Sequence, residues 1–173
     1  MRAIPPVGLW LVLTLAGFRA LAAQTDADSV QVATRDKLQA LFATYGPARD
    51  IRWYRSNDPF VFAGFLDKGL AHTPRFEVYV AVTQRKTIWI RVYPQFGDHI
   101  NLDNVRDPNG LMQKLLRLSY RDFFFWGAND ALDVFAGFQF TLESGFPEEA
   151  IKVVMRSIPL IDQSVGELVP FIE

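Results

Sequence analysis

The chain has 173 residues, 18 basic and 19 acidic side chains, a formal net charge of −1, 50% hydrophobic residues and no cysteine. That balance offers no electrostatic footprint for nucleic acid or anionic lipid, and the missing thiols exclude thiol catalysis, disulfide relays and thiolate metal sites. A chain of this length fits one domain whose core is large enough to do without disulfides.

The amino terminus reads as a targeting segment. Met1-Arg2 is followed by an uncharged run from Ala3 to Phe18, then by Ala20-Leu21-Ala22-Ala23. A basic start, an apolar middle and small residues at the cut describe a secretory signal peptide. The run of 16 residues, interrupted by Pro5 and Pro6, is shorter than the roughly 20 that a spanning helix needs. Cleavage after Ala22 leaves residues 23–173 as the domain, with 16 basic and 19 acidic side chains once Arg2 and Arg19 are gone. The expected location is periplasmic or secreted, without stable membrane insertion after cleavage. Arg19, close to the cut, leaves an uncleaved anchor as the alternative.

Residues 29–45 carry Ala33, Leu38, Leu41, Phe42 and Tyr45 at mostly helical spacing, and Gly46-Pro47 closes that helix. Residues 51–54 and 60–66 read as strands around the turn Ser56-Asn57-Asp58-Pro59, and 68–74 as a loop. A hairpin follows. Phe76, Val78, Val80 and Val82 alternate with Glu77, Tyr79, Ala81 and Thr83, and Ile88, Ile90 and Val92 with Trp89, Arg91 and Tyr93. Facing strands share side-chain parity, so Val82 pairs with Ile88 or Ile90 across an odd-numbered loop around Gln84, Arg85 and Lys86.

Asp107-Pro108 predicts a capped helix start, with Leu111, Met112, Leu115, Leu116 and Leu118 as its apolar stripe. Residues 123–126 and 132–142 form two more strands around Gly127-Ala128-Asn129-Asp130. Pro147-Glu148-Glu149 opens a last helix, its acids favourable against the positive helix end. Its apolar face (Ile151, Val154, Met155, Ile158, Ile161, Val165, Leu168, Val169) continues across Pro159, which predicts one long helix kinked there. The fold class is α+β: a single domain with a twisted antiparallel sheet of about five strands, helices on one face, in the order helix, strands, helix, two strands, helix.

The run Leu116-Arg117-Leu118-Ser119-Tyr120-Arg121-Asp122-Phe123-Phe124-Phe125-Trp126-Gly127, the strand end Phe138-Gln139-Phe140-Thr141-Leu142 and the helix entry Gly145-Phe146-Pro147-Glu148-Glu149-Ala150 together resemble the YbjN-domain family. Lys86-Thr87-Ile88-Trp89-Ile90-Arg91-Val92-Tyr93 fits the same pattern more loosely. The resemblance implies the fold of type III secretion chaperones, a scaffold suited to binding protein. Exported relatives often carry a cysteine pair on the central hairpin, which this chain lacks. The family supplies no catalytic or ligand residue to place here, and fold likeness alone does not specify a job.

Candidate chemistry is sparse. His72, His99, Asp98, Asp103 and Asp107 are the only material for a metal or acid–base cluster. Their spacing lacks the ordered acids of an EF-hand loop and the several histidines zinc requires. Gly-x-Ser-x-Gly is absent, as is a glycine-rich phosphate loop, so no catalytic residue, metal or cofactor is expected. Glu143, Glu148 and Glu149 read as a strand end and a helix start. The aromatic content, 14%, is the informative feature. Phe62, Phe76, Phe138 and Phe140 are expected in the core, whereas parity puts Tyr79, Trp89, Arg91, Tyr93 and Phe135 on the opposite sheet face. Aromatics with an arginine are the composition of protein–protein hot spots. The expectation is therefore a non-enzymatic exported protein that binds a protein partner, or a second copy of itself, through Tyr79, Trp89, Arg91 and Tyr93. The competing readings are an N-terminal segment or helix covering that face, a sugar or lipid ligand bound on it, a small hydrolase or metal-dependent enzyme using the Asp98 to Asp107 loop with His99, and a sensory or regulatory accessory protein.

Overall fold

Period-two alternation builds the centre of the molecule. The computed structural model describes residues 29–173 except Arg55, so the targeting segment lies outside the described residues. The strands are β1 (Arg52–Tyr54), β2 (Val61–Leu66), β3 (Arg75–Thr83), β4 (Thr87–Phe96), β5 (Asp98–His99), β6 (Phe125–Ala128) and β7 (Val134–Thr141). They form one antiparallel sheet of seven strands in the order β1-β2-β3-β4-β7-β6, with β5 folded back on the end of β4. The sheet exceeds the expected five or so strands because short pieces at its margins also pair. In β3 and β4, Val82 faces Ile88 and Thr83 faces Thr87, leaving Gln84, Arg85 and Lys86 as the odd-numbered loop that parity demands. Lys86 adopts φ 55°, the left-handed residue that three-residue hairpin loops use.

Helix α1 is helical from residue 29, where description begins, to residue 45. Helices α2 (Pro108–Arg121), α3 (Glu148–Ser157), α4 (Ile161–Gly166) and α5 (Val169–Ile172) follow. The core lies between one sheet face and these helices. Phe76, Val78, Val80, Val82, Ile88, Ile90 and Val92 meet Leu38, Leu111, Leu115, Leu118, Ile151, Met155 and Ile158 there. Helix α2 starts as its sequence predicts, with the Asp107 carboxylate accepting from the Gly110 amide at 2.9 Å. Asp107→Ala removes that cap and is expected to cost about 1 kcal/mol, read as a lowered urea midpoint with unchanged slope.

The structure corrects several details. Met112 and Leu116 are not core residues: they are 47% and 72% exposed, because only Leu111, Leu115 and Leu118 turn inward. Ala33 is exposed, and Gln31 and Thr34 take its place on the inner face of α1, the Gln31 amide donating to the Val82 carbonyl at 2.8 Å. Phe76 and Phe140 are buried as expected, but Phe62 and Phe138 are half-buried at the core margin, Phe138 stacked on exposed Phe123. The long kinked C-terminal helix is instead α3, a 3-10 turn at Ile158–Leu160, α4 and α5. Pro159 withholds an amide in the first break and Gly166 precedes the second, yet the inward face continues through Leu168.

Asp162 is a deeply buried carboxylate in that inward face. Its oxygens accept from three successive backbone amides, Ala71 at 2.6 Å, His72 at 3.1 Å and Thr73 at 3.0 Å. The contact ties α4 to the loop that feeds β3.

Candidate functional site

The second face of the sheet bears no helix of the described chain. Strand register arranges its side chains in rows. Tyr54, Ala63, Tyr79, Arg91, Gly137 and Phe125 form one row across six strands; Arg52, Phe65, Glu77 and Tyr93 form the next, and the Tyr93 ring reaches Phe135, which pairs with Gly127. Tyr79, Trp89, Arg91 and Tyr93 therefore share this face, as parity predicts. They are not equally accessible. Tyr79, Trp89 and Arg91 are half-buried, whereas Tyr93 is only 6% exposed, enclosed by the rings of Tyr79, His99 and Phe135. Tyr93 is a floor on which the others rest.

Beside these rings lies a polar cluster that sequence reasoning missed. The buried Glu77 carboxylate accepts from the Tyr54 hydroxyl at 2.5 Å and the Gln95 amide at 3.0 Å, and the His99 Nε2 lies 2.8 Å away. His99 reaches it because Gly97, at φ 96°, turns the chain back so that β5 pairs with β4. The other ring nitrogen of His99, Nδ1, lies 3.6 Å from Asp133, which is held by the amides of Asn101 and Asn129. Arg75 donates to Gln95 at 2.7 Å and stacks on Phe65. Burial alone raises the pKa of Glu77, but hydrogen bonds from Tyr54, Tyr79 and His99 outweigh it and hold the carboxyl below its ordinary value. Burial raises Asp133 too, and the Asn101, Asn129 and His99 contacts reverse the sign. Tyr79 goes the other way, its phenol pushed far up by burial and by the neighbouring Tyr54 and Glu77. Glu77 shares parity with Tyr79 in an otherwise apolar strand, and that lone acid was the available signal.

The acid–base loop does not assemble. Asp107 is committed to its helix cap, Asp98 and Asp103 are exposed, and His99 turns to Glu77 and Asp133. His72 packs its ring against Gly166. Glu148 and Glu149 both pair with Lys152 in the first turn of α3. Ser164 donates to Asp122 at 2.5 Å and Ser119 to the Leu115 carbonyl at 2.9 Å. Among the described residues no group of three or more His, Asp or Glu side chains is arranged to hold a metal ion, and no helix is long and apolar enough to cross a membrane.

A hollow of about 670 Å³ is a wide-mouthed groove on the helical side between α1 and α3, lined by Lys37, Tyr45, Phe146 and Lys152 among others. On the strand side a shallow hollow of about 430 Å³ adjoins Trp89, bounded by Thr83, Thr87 and Gln139. The open face is thus a broad, ring-rich surface with a saturated polar centre, and its shape suits another surface better than an enclosed small molecule. No family model, curated protein or solved structure matches the chain.

Proposed function

We propose that this is a non-enzymatic exported binding protein, periplasmic in a Gram-negative host, which engages a protein partner through the open sheet face. One observation carries the reading: Tyr79, Trp89 and Arg91 stand half-buried at the middle of a sheet face that no described helix covers. Large aromatics and arginine at a patch centre, ringed by less committed residues, are the pattern of interface hot spots. The hollow beside Trp89 offers a seat for a partner side chain. The targeting segment read from the sequence supports export, and the YbjN-like order of elements is in keeping with a protein-binding role.

The test is site-specific photo-crosslinking in the native host. A photoreactive phenylalanine replaces Trp89 in one strain and Gln163, exposed on the helical side, in another. The expected result is a discrete protein adduct from position 89 alone, in the envelope fraction, on a mature chain beginning at Ala23. Adducts from position 163 only would reject this face, and a cytoplasmic, uncut chain would reject export.

A further inference from the structure

Arg91 stands apart from the other described arginines in meeting two rings. Its guanidinium lies over the Trp89 ring, 4.7 Å from the centroid, and over the Phe135 ring, 4.5 Å from the centroid. Opposite it on β7 is Gly137, which contributes no side chain, and the Phe125 ring fills the space above that glycine. The Arg91 Nε is buried without a hydrogen-bond partner, and no carboxylate of the described chain pairs with the side chain. Two rings therefore back the guanidinium, and since the Nε is buried, the donors left for a ligand are the terminal Nη1 and Nη2, which no ion pair of the described chain commits. A planar fork of donors held in this way matches the two oxygens of a carboxylate.

The other charged groups of the face are largely engaged, Asp133 with Asn101, Asn129 and His99. The strand residues of the face contribute Arg52, Arg75 and Arg91 against a single acid, Glu77, whose oxygens are occupied by Tyr54, Gln95 and His99. Arg52 is neutralised by Asp67. Arg75 has no acidic partner and, like Arg91, is backed by a ring, Phe65 at 4.5 Å. Tyr79 is the cross-strand neighbour of Arg91, so the two ring-backed arginines sit four positions apart along the strand direction, about 13 Å. An extended chain repeats that distance every four residues.

Resting on the proposed function, the geometry points to an acidic protein segment as the occupant of this face, lying extended along β3 and β4 with carboxylates four residues apart on Arg75 and Arg91. Aromatic surface gives the contact area. The two guanidinium forks give the preference for acid and the register.

Fluorescein-labelled dodecapeptides of otherwise neutral sequence test this by anisotropy with the full-length mature protein, at low and at physiological salt. One peptide carries Glu at two positions four apart, one carries the same residues two apart, and one has Gln at both. The expected order is tightest for the spacing of four, by roughly tenfold over the Gln peptide, with the preference shrinking as salt rises. Arg91→Gln is expected to erase the preference for acid, and Arg91→Lys to keep the charge attraction but lose the spacing rule. Far-ultraviolet circular dichroism of both variants checks the fold. Equal binding of acidic and Gln peptides, or binding of anionic vesicles or single-stranded DNA in preference to peptide, would overturn the inference and leave the proposed function to the crosslinking result. No binding of any peptide by the folded protein would also overturn it. An adduct from position 163 alone would instead remove the reading on which it rests.

Discussion

Asp162→Ala is expected to be among the most damaging single substitutions, costing about 3–5 kcal/mol. Three backbone amides of residues 71–73 converge on this buried carboxylate, and truncation strands all three where water enters poorly. An unsatisfied buried donor costs about 1–3 kcal/mol, and hydrogen bonds to a charged acceptor lie at the upper end. For a domain of this size the loss corresponds to a midpoint lowered by roughly 10 °C in a thermal melt. Asp162→Asn keeps one acceptor oxygen and is expected to fall between wild type and Ala. A loss under about 1 kcal/mol for Ala would show that the 71–73 loop finds other partners, and that the clasp does not hold α4 to the sheet.

Glu77→Ala is expected to cost about 2–4 kcal/mol, because it leaves Tyr54, Gln95 and His99 without their shared acceptor. The same carboxylate predicts an acid-sensitive stability. Its folded pKa lies below its ordinary value of 4.5, so the unfolded chain takes up its proton first as acid is added. Its contribution is complete above about pH 4.5 and drains away as pH falls through the lower folded value. The groups facing it are Tyr54, Tyr79, Gln95, His99 and, through Gln95, Arg75. Urea midpoints between pH 3 and pH 7 are expected to fall at the acid end for wild type, with a flatter profile for Glu77→Gln. Parallel profiles would mean that other carboxylates, Asp133 first, govern the acid limb.

The hairpin and the face it presents were legible because strand parity is strict. Once Val82 was matched to Ile88, the positions of Tyr79, Trp89, Arg91 and Tyr93 followed without further information. The cap at Asp107 was legible for an equally local reason. Helix α2 was not, because its sequence carries two adjacent apolar stripes: Leu111, Leu115 and Leu118 turn inward, while Met112, Leu116 and Tyr120 turn to solvent. Helical spacing alone assigns neither stripe to the core, since the choice depends on where the helix lies on the sheet. The C-terminal apolar face read correctly although the helix beneath it did not, since a 3-10 turn can reset the backbone while keeping the same side inward.

The polar cluster was hidden for a different reason. Glu77, Gln95, His99 and Asp133 come together only through the strand order and the reversal at Gly97, both long-range facts that no sequence window contains. A local hint existed in each case. Glu77 interrupts an apolar strand, as Asp162 interrupts an apolar helix between Ile161 and Val165. An acid placed on a face destined for burial implies that its partners come from elsewhere in the chain.

The outermost strands of the sheet are very short, three residues in β1 and four in β6. A foreign chain trying to extend the ladder at either margin would gain a handful of amide–carbonyl bonds, against an ordering entropy of roughly 1–2 kcal/mol for each residue fixed. Runaway stacking into fibrils is starved at both rims.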